Sequence, residues 1–162
     1  MKRIFFSLML LLCVGSVFGQ NADEFIKRWK ARDGMSYENL TKKIKKVCKE
    51  NPDVATWTVK KAQVVRGVVS KIGYQQLQKD LDALKDFKCV YYEKHNDDFD
   101  LFRNIQYYAI EDGEYITDLV VRIDINTERE KPIVLVRFLG KIKQEDVANI
   151  LDLKQTKTTT IK

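Results

Sequence analysis

Histidine is nearly absent from this 162-residue sequence, glycine is sparse, and no apolar run is long enough to cross a bilayer. The single histidine, His95, could serve as a general base or as one metal ligand, and either role needs partners. Its setting, EKHNDDFD, is a polar turn after a strand and reads as an exposed loop. Outside the first nineteen residues the glycines fall singly, in RDGM, VRGV, KIGY, EDGE and FLGK, so no loop can cradle a phosphate with successive backbone N–H groups. Ser36 and Ser70 lack the glycine-flanked elbow of serine hydrolases. These gaps remove the common metal, nucleotide and serine-nucleophile chemistries, and no cofactor is expected.

The longest apolar stretch runs from Ile4 to Val14, broken only by Ser7, and follows the positive start Met1-Lys2-Arg3. A spanning helix needs about 20 such residues, whereas this length suits the core of a cleaved secretory leader. Cys13 lies within it. Lipid attachment there would require small residues just ahead of the cysteine, and Leu11 and Leu12 occupy those places. An ordinary cut after VFG, between Gly19 and Gln20, is expected instead. The product would be exported, periplasmic or secreted, with no membrane span.

Loss of residues 1–19 takes Lys2 and Arg3 from the 29 basic side chains and no acid from the 23 acidic ones, leaving 27 against 23, a net charge of +4. So mild a balance gives no case for a nucleic-acid partner. The remainder is long enough for one domain with a real core. Cys48 and Cys89 remain, an even pair in a compartment that permits a disulfide. Both also sit where a small apolar residue would serve, so a bridge and two free thiols stay open.

Along the chain, residues 20–53 read as an N-terminal helical segment. One helix is capped by Asp23 and carries Phe25, Ile26 and Trp29 inward; a second starts at Ser36, with Leu40, Ile44 and Val47 as its stripe and a lysine-rich solvent face. Residues 54–153 read as the main domain. VATWTVK alternates as a strand, KAQVVRGVVSKIG is taken as a helix on the spacing of Ala62, Val65, Val69 and Ile72, and YQQLQKDLDALKD is a helix. FKCVYYEK, IQYYAIE, YITDLVVRIDI and IVLVRFLG follow as strands, with a helical turn over DDFDLFRN, a hairpin turn at Asp112-Gly113 and IVLVRFLG central. Residues 144–153 close the domain as a helix with Val147, Ile150 and Leu151 inward, and 154–162 are expected to be a mobile tail. The fold class is α+β: a mainly antiparallel sheet of about five strands, with helices on one face and two N-terminal helices.

Three pieces in order, LDALKDFKCVYYEK, IQYYAIEDGEYITDLVVRID and VLVRFLGKIKQEDVANIL, resemble a family of small exported proteins of Gram-negative anaerobes known only as a domain of unknown function. The resemblance covers roughly residues 54–151, with 20–53 as an addition. It implies export and a compact α+β body, makes an envelope partner more plausible than a metabolic reaction, and carries no catalytic residues.

Two constellations remain. Asp97, Asp98 and Asp100, with Glu93 and Asn96 nearby, are rich in oxygen but lack the glycine and distant glutamate of a helix-loop-helix calcium site; they suit the cap of a helical turn. Tyrosines are more suggestive. Adjacent tyrosines in a strand point to opposite faces, so Tyr92 and Tyr108 are expected on the sheet face away from the core, unless helices or loops cover them. With Arg103 and Arg122 they would form a platform for an envelope protein or a glycan. The expectation is a non-catalytic exported binding or interaction module. The alternative is a hydrolase using Glu93, Asp97, Asp98 or Asp100.

Overall fold

The computed structural model describes residues 20–94, 102–127 and 130–147. Its frame is one six-stranded sheet, antiparallel throughout, in the order β1-β2-β6-β5-β4-β3. The strands are β1 (Met35–Asn39), β2 (Thr58–Val68), β3 (Lys88–Lys94), β4 (Phe102–Asp112), β5 (Tyr115–Ile125) and β6 (Pro132–Lys143). Three helices accompany them: α1 (Ala22–Lys30), α2 (Thr41–Glu50) and α3 (Lys71–Asp82), with a 3₁₀ turn at Pro52–Val54 and a further helix beginning at residue 144. No helix among the described residues is long and apolar enough to cross a membrane.

Strand alternation divides the interior in two. Val65, Val120 and Leu135 face α1 and α3, packing against Phe25, Trp29, Leu77 and Leu81. Their neighbours Leu119, Val121 and Phe138 face the other way, toward Cys48 and Ile44 of α2 and toward Val147. A strand that buries both faces must read as a nearly continuous apolar run, as β6 does. Helices therefore cover both faces of the sheet and not one, and the strands number six and not five. The N-terminal segment expected as an addition supplies α1, the edge strand β1 and α2 to this same sheet. Its first described residue, Gln20, donates its backbone N–H to Ala83 and accepts from Lys85, both at 3.0 Å.

The departures from the sequence expectations have local causes. KAQVVRGVVSKIG is not a helix: through Val68 it belongs to β2, and α3 begins only at Lys71. The β-branched valines, stiff at χ1, sit better on a pleated strand. Residues 54–57 are a turn and not the start of a strand, since Trp57 N–H bonds back to Val54 O. Ser36 lies in β1, and α2 starts five residues later. The caps also shift. Asn21 and not Asp23 accepts from Glu24 N–H at 2.9 Å, while Ser70 caps α3 through Gly73 N–H at 3.1 Å. The turn expected over DDFDLFRN lies outside the described residues, except that Phe102 onward is strand.

The Asp112-Gly113 hairpin is present, with Gly113 at φ 61°, where a side chain would be strained. Gly140, the end of the expected strand IVLVRFLG, lies within β6, whose pairing continues to Lys143. It is paired with Val59 beside a β-bulge, where a Cβ would fall 1.7 Å from the Thr58 carbonyl oxygen.

Candidate functional site

Three of the four expected platform residues do share one face. Tyr92, Gln106, Arg122 and Leu135 form a cross-strand row, and Tyr108 lies in a neighbouring row opposite Val120. That face is the one α3 covers. Tyr108 is 5% exposed, and its hydroxyl lies 2.9 Å from Gln78 Nε2 and donates to Asp82 at 3.2 Å. Burial, above all, pushes its phenol up to about 12. Arg122 is 1% exposed and grips Asp124 through Nε and Nη2 at 2.8 and 3.0 Å. Tyr92 is 55% exposed at the β3 edge, beyond the reach of this network. Arg103 stands at the rim of a small polar cleft of about 70 Å³ with Tyr74, Asp124 and Lys131. The four therefore do not make one open platform, because α3 lies across it.

Among the carboxylates named for a hydrolase, Glu93 accepts a hydrogen bond from the Tyr91 hydroxyl. His95, Asn96, Asp97, Asp98 and Asp100 lie outside the described residues. Among those described, no group of three or more His, Cys, Asp or Glu side chains is placed to hold a metal ion. Cys48 and Cys89 are both free thiols, the first buried on α2 and the second exposed on β3.

The opposite face offers a different kind of site. An apolar cavity of about 230 Å³ opens between α2 and the sheet, lined by Leu40, Ile44, Trp57, Val121, Val136 and Phe138 among others. Its walls come from separate parts of the chain. α2 packs on β2 with only a narrow apolar stripe, so it covers part of this face, and among the described residues the rest is lined but not filled. Trp57 forms one rim, its indole N–H donating to Asp146 at 3.0 Å and its ring edge-on to Phe138 at 5.9 Å. Tyr107 lines the floor. Burial and then the charge of Glu93 push its phenol up to about 12, so it presents a neutral group. Arg137, the one charged residue of the lining among those described, has its guanidinium held by Asp118 at 3.1 and 2.9 Å and by Asp23 at 2.7 Å. Among the described residues no free charge is aimed into the cavity. It can hold apolar matter, and its described lining lacks the convergent polar groups that a glycan or a reacting carbonyl would require.

Little in the sequence announces this site. Its available signals were the thin stripe of α2, too narrow to cover a broad sheet face, and the double-faced apolar run of β6. No family model, no curated protein and no solved structure matches this chain.

Proposed function

We propose that the protein is a non-catalytic binding module of the cell envelope, exported by its leader, which holds an apolar ligand in the cavity between α2 and the second face of the sheet. One observation supports this above the rest: a concave, predominantly apolar cavity on a face whose opposite side is already sealed by two helices. Its volume exceeds the ~150 Å³ of a cavity known to take up benzene, and falls below the ~300–1,000 Å³ of sites for drug-sized ligands. A single chain or ring therefore suits it better than a whole large ligand. Export rests on the leader of residues 1–19 and on the resemblance to small exported proteins.

The test uses the neutral fluorophore N-phenyl-1-naphthylamine. Saturable enhancement at one site per chain, lost when Leu119→Trp fills the cavity while circular dichroism is retained, is the expected result. Enhancement that does not saturate, or that survives the filling, would remove the reading. Export is checked separately, by the N-terminal residue of the protein recovered from an envelope extract. Gln20 is expected, and retention of residues 1–19 would reject it.

A further inference from the structure

The helix over this cavity is strongly cationic. α2 carries Lys42, Lys43, Lys45, Lys46 and Lys49 against one acid, Glu50, which lies 3.7 Å from Lys46. Ile44 points into the cavity, and at about 100° per residue Lys43 and Lys45 stand to either side of it. Both are exposed, and among the described residues neither makes an ion pair. Of the acids at the start of the last helix, Glu145 lies 3.4 Å from Lys143, and Asp146 accepts from the neutral indole of Trp57, so its charge stays on the Trp57 side of the cavity, across from α2. An apolar hole beneath a helix whose two flanking ammonium groups make no ion pair among the described residues is complementary to one kind of molecule, an apolar chain ending in an anion.

We infer that the cavity takes a single-chain anionic amphiphile, its hydrocarbon between Trp57, Val121 and Phe138 and its carboxylate met by Lys43 and Lys45 of α2. This rests on the binding-module reading and adds the ligand class. Lysine suits the task, since its flexible apolar stem can lie along the cavity rim while the ammonium stays in water. The apolar part supplies most of the affinity, at about 0.8 kcal/mol per buried methylene, and the exposed charges decide among chains of equal length.

The test titrates the purified chain by calorimetry with octanoate, octanol and octyltrimethylammonium, which differ at the head alone. Octanoate is expected to bind about two- to fivefold tighter than octanol at low salt, as exposed charge pairs allow, with the cation weakest. The differences should close at about 1 M salt, where the screening length is about 3 Å. In Lys43→Glu/Lys45→Glu the order of octanoate and octyltrimethylammonium should reverse, and octanol binding by the same variant reports whether the cavity is still formed. Equal affinity for all three ligands, or an order that survives the charge reversal, overturns the inference while the cavity reading stands. Failure of all three to bind overturns both. If the chain then sediments as a dimer that Leu119→Trp dissociates, the occupant is a second copy of the chain.

Discussion

Arg122 and Asp124 stand two positions apart on β5, hence on one face, and the guanidinium grips the carboxylate with two parallel bonds of 2.8 and 3.0 Å beneath α3. The rest of each group is also satisfied. Nη1 of Arg122 donates to Gln78 at 2.6 Å and to Gln106 at 3.3 Å, and the Tyr74 ring lies 4.4 Å from the guanidinium carbon. Asp124 Oδ2 accepts from Asn104 and from the Tyr74 hydroxyl. Where a binding platform was expected, the chain builds a closed polar seam that joins α3 to the sheet.

A buried pair of this kind is costly to halve. Arg122→Met strands the Asp124 carboxylate in the interior and should destabilise the fold by about 3–5 kcal/mol, whereas Arg122→Met/Asp124→Leu should recover most of that loss. Urea unfolding followed by circular dichroism measures both. Equal destabilisation in single and double variants would show that packing, and not the unpaired charge, sets the cost.

Gly140 provides a backbone test. With the Thr58 carbonyl oxygen 1.7 Å from where its Cβ would lie, no rotamer relieves the clash, and β6 must separate from β2 beside the bulge at Val59. Gly140→Ala should therefore cost more than the roughly 1 kcal/mol typical of point substitutions and also disturb the neighbouring wall of the cavity. Gly113→Ala is the useful contrast: its Cβ meets nothing within 4 Å, leaving only the strain of φ 61°. Thermal melts of the two variants should rank Gly140→Ala as the more damaging, and the reverse order would mean that β6 can shift freely at this point.

How far the fold could be read in advance depended on burial pattern. β5 was legible from Tyr115 to Ile125 because a sound hairpin turn precedes it and aliphatic, mostly β-branched residues dominate its run. β6 was legible as a central strand for the same reason. β1 was not, because MSYEN is a polar edge strand whose only partner, β2, lies some thirty residues on. Four of its five side chains are exposed, so neither face carries an apolar alternation to read. β2 was misread because Ala62, Val65 and Val69 coincide with a helical spacing. The alternation that separates Val65, toward α1 and α3, from Ala62, toward α2, is visible only once both layers are known. The cavity was illegible for a related reason: its lining comes from α2, the turn before β2, four strands and the start of the last helix, and no two of those pieces advertise each other locally. The tyrosine pattern did place Tyr92, Tyr108 and Arg122 on one face, but nothing in it says which helix lies across them.

The buried tyrosines make stability depend on alkaline pH. Tyr107 and Tyr108 are both pushed up to about 12, and burial with the Asp124 contact pushes Tyr74 up as well. A phenol whose pKa is raised in the fold stabilises it fully below the unfolded value near 10. That contribution is lost as pH climbs from about 10 toward 12, since the unfolded chain alone releases the proton. Absorbance of tyrosinate should thus show an ordinary class titrating near 10 and a late class that appears together with unfolding. Tyr107→Phe and Tyr108→Phe should each flatten the decline in urea midpoint across that window, and an unchanged slope would place the late class elsewhere.

Cys48 belongs to α2, which packs over β2, while Cys89 is on β3, and four strand spacings of about 4.8 Å put roughly 19 Å of sheet between those strands. A disulfide needs Cα atoms within about 7 Å, so the native fold cannot close this pair without rebuilding the sheet. The protein recovered from an oxidising compartment should therefore have the same mobility with and without reductant. Cys89, exposed, should react with a thiol reagent at once. Cys48 should lag until the fold is opened, because burial both shields its sulfur and pushes its thiol up, lowering the thiolate fraction that does the chemistry. Peptide mapping after timed alkylation distinguishes the two sites. A cross-linked Cys48–Cys89 peptide would require α2 to leave the second face of the sheet, and with it the wall of the cavity proposed as the binding site.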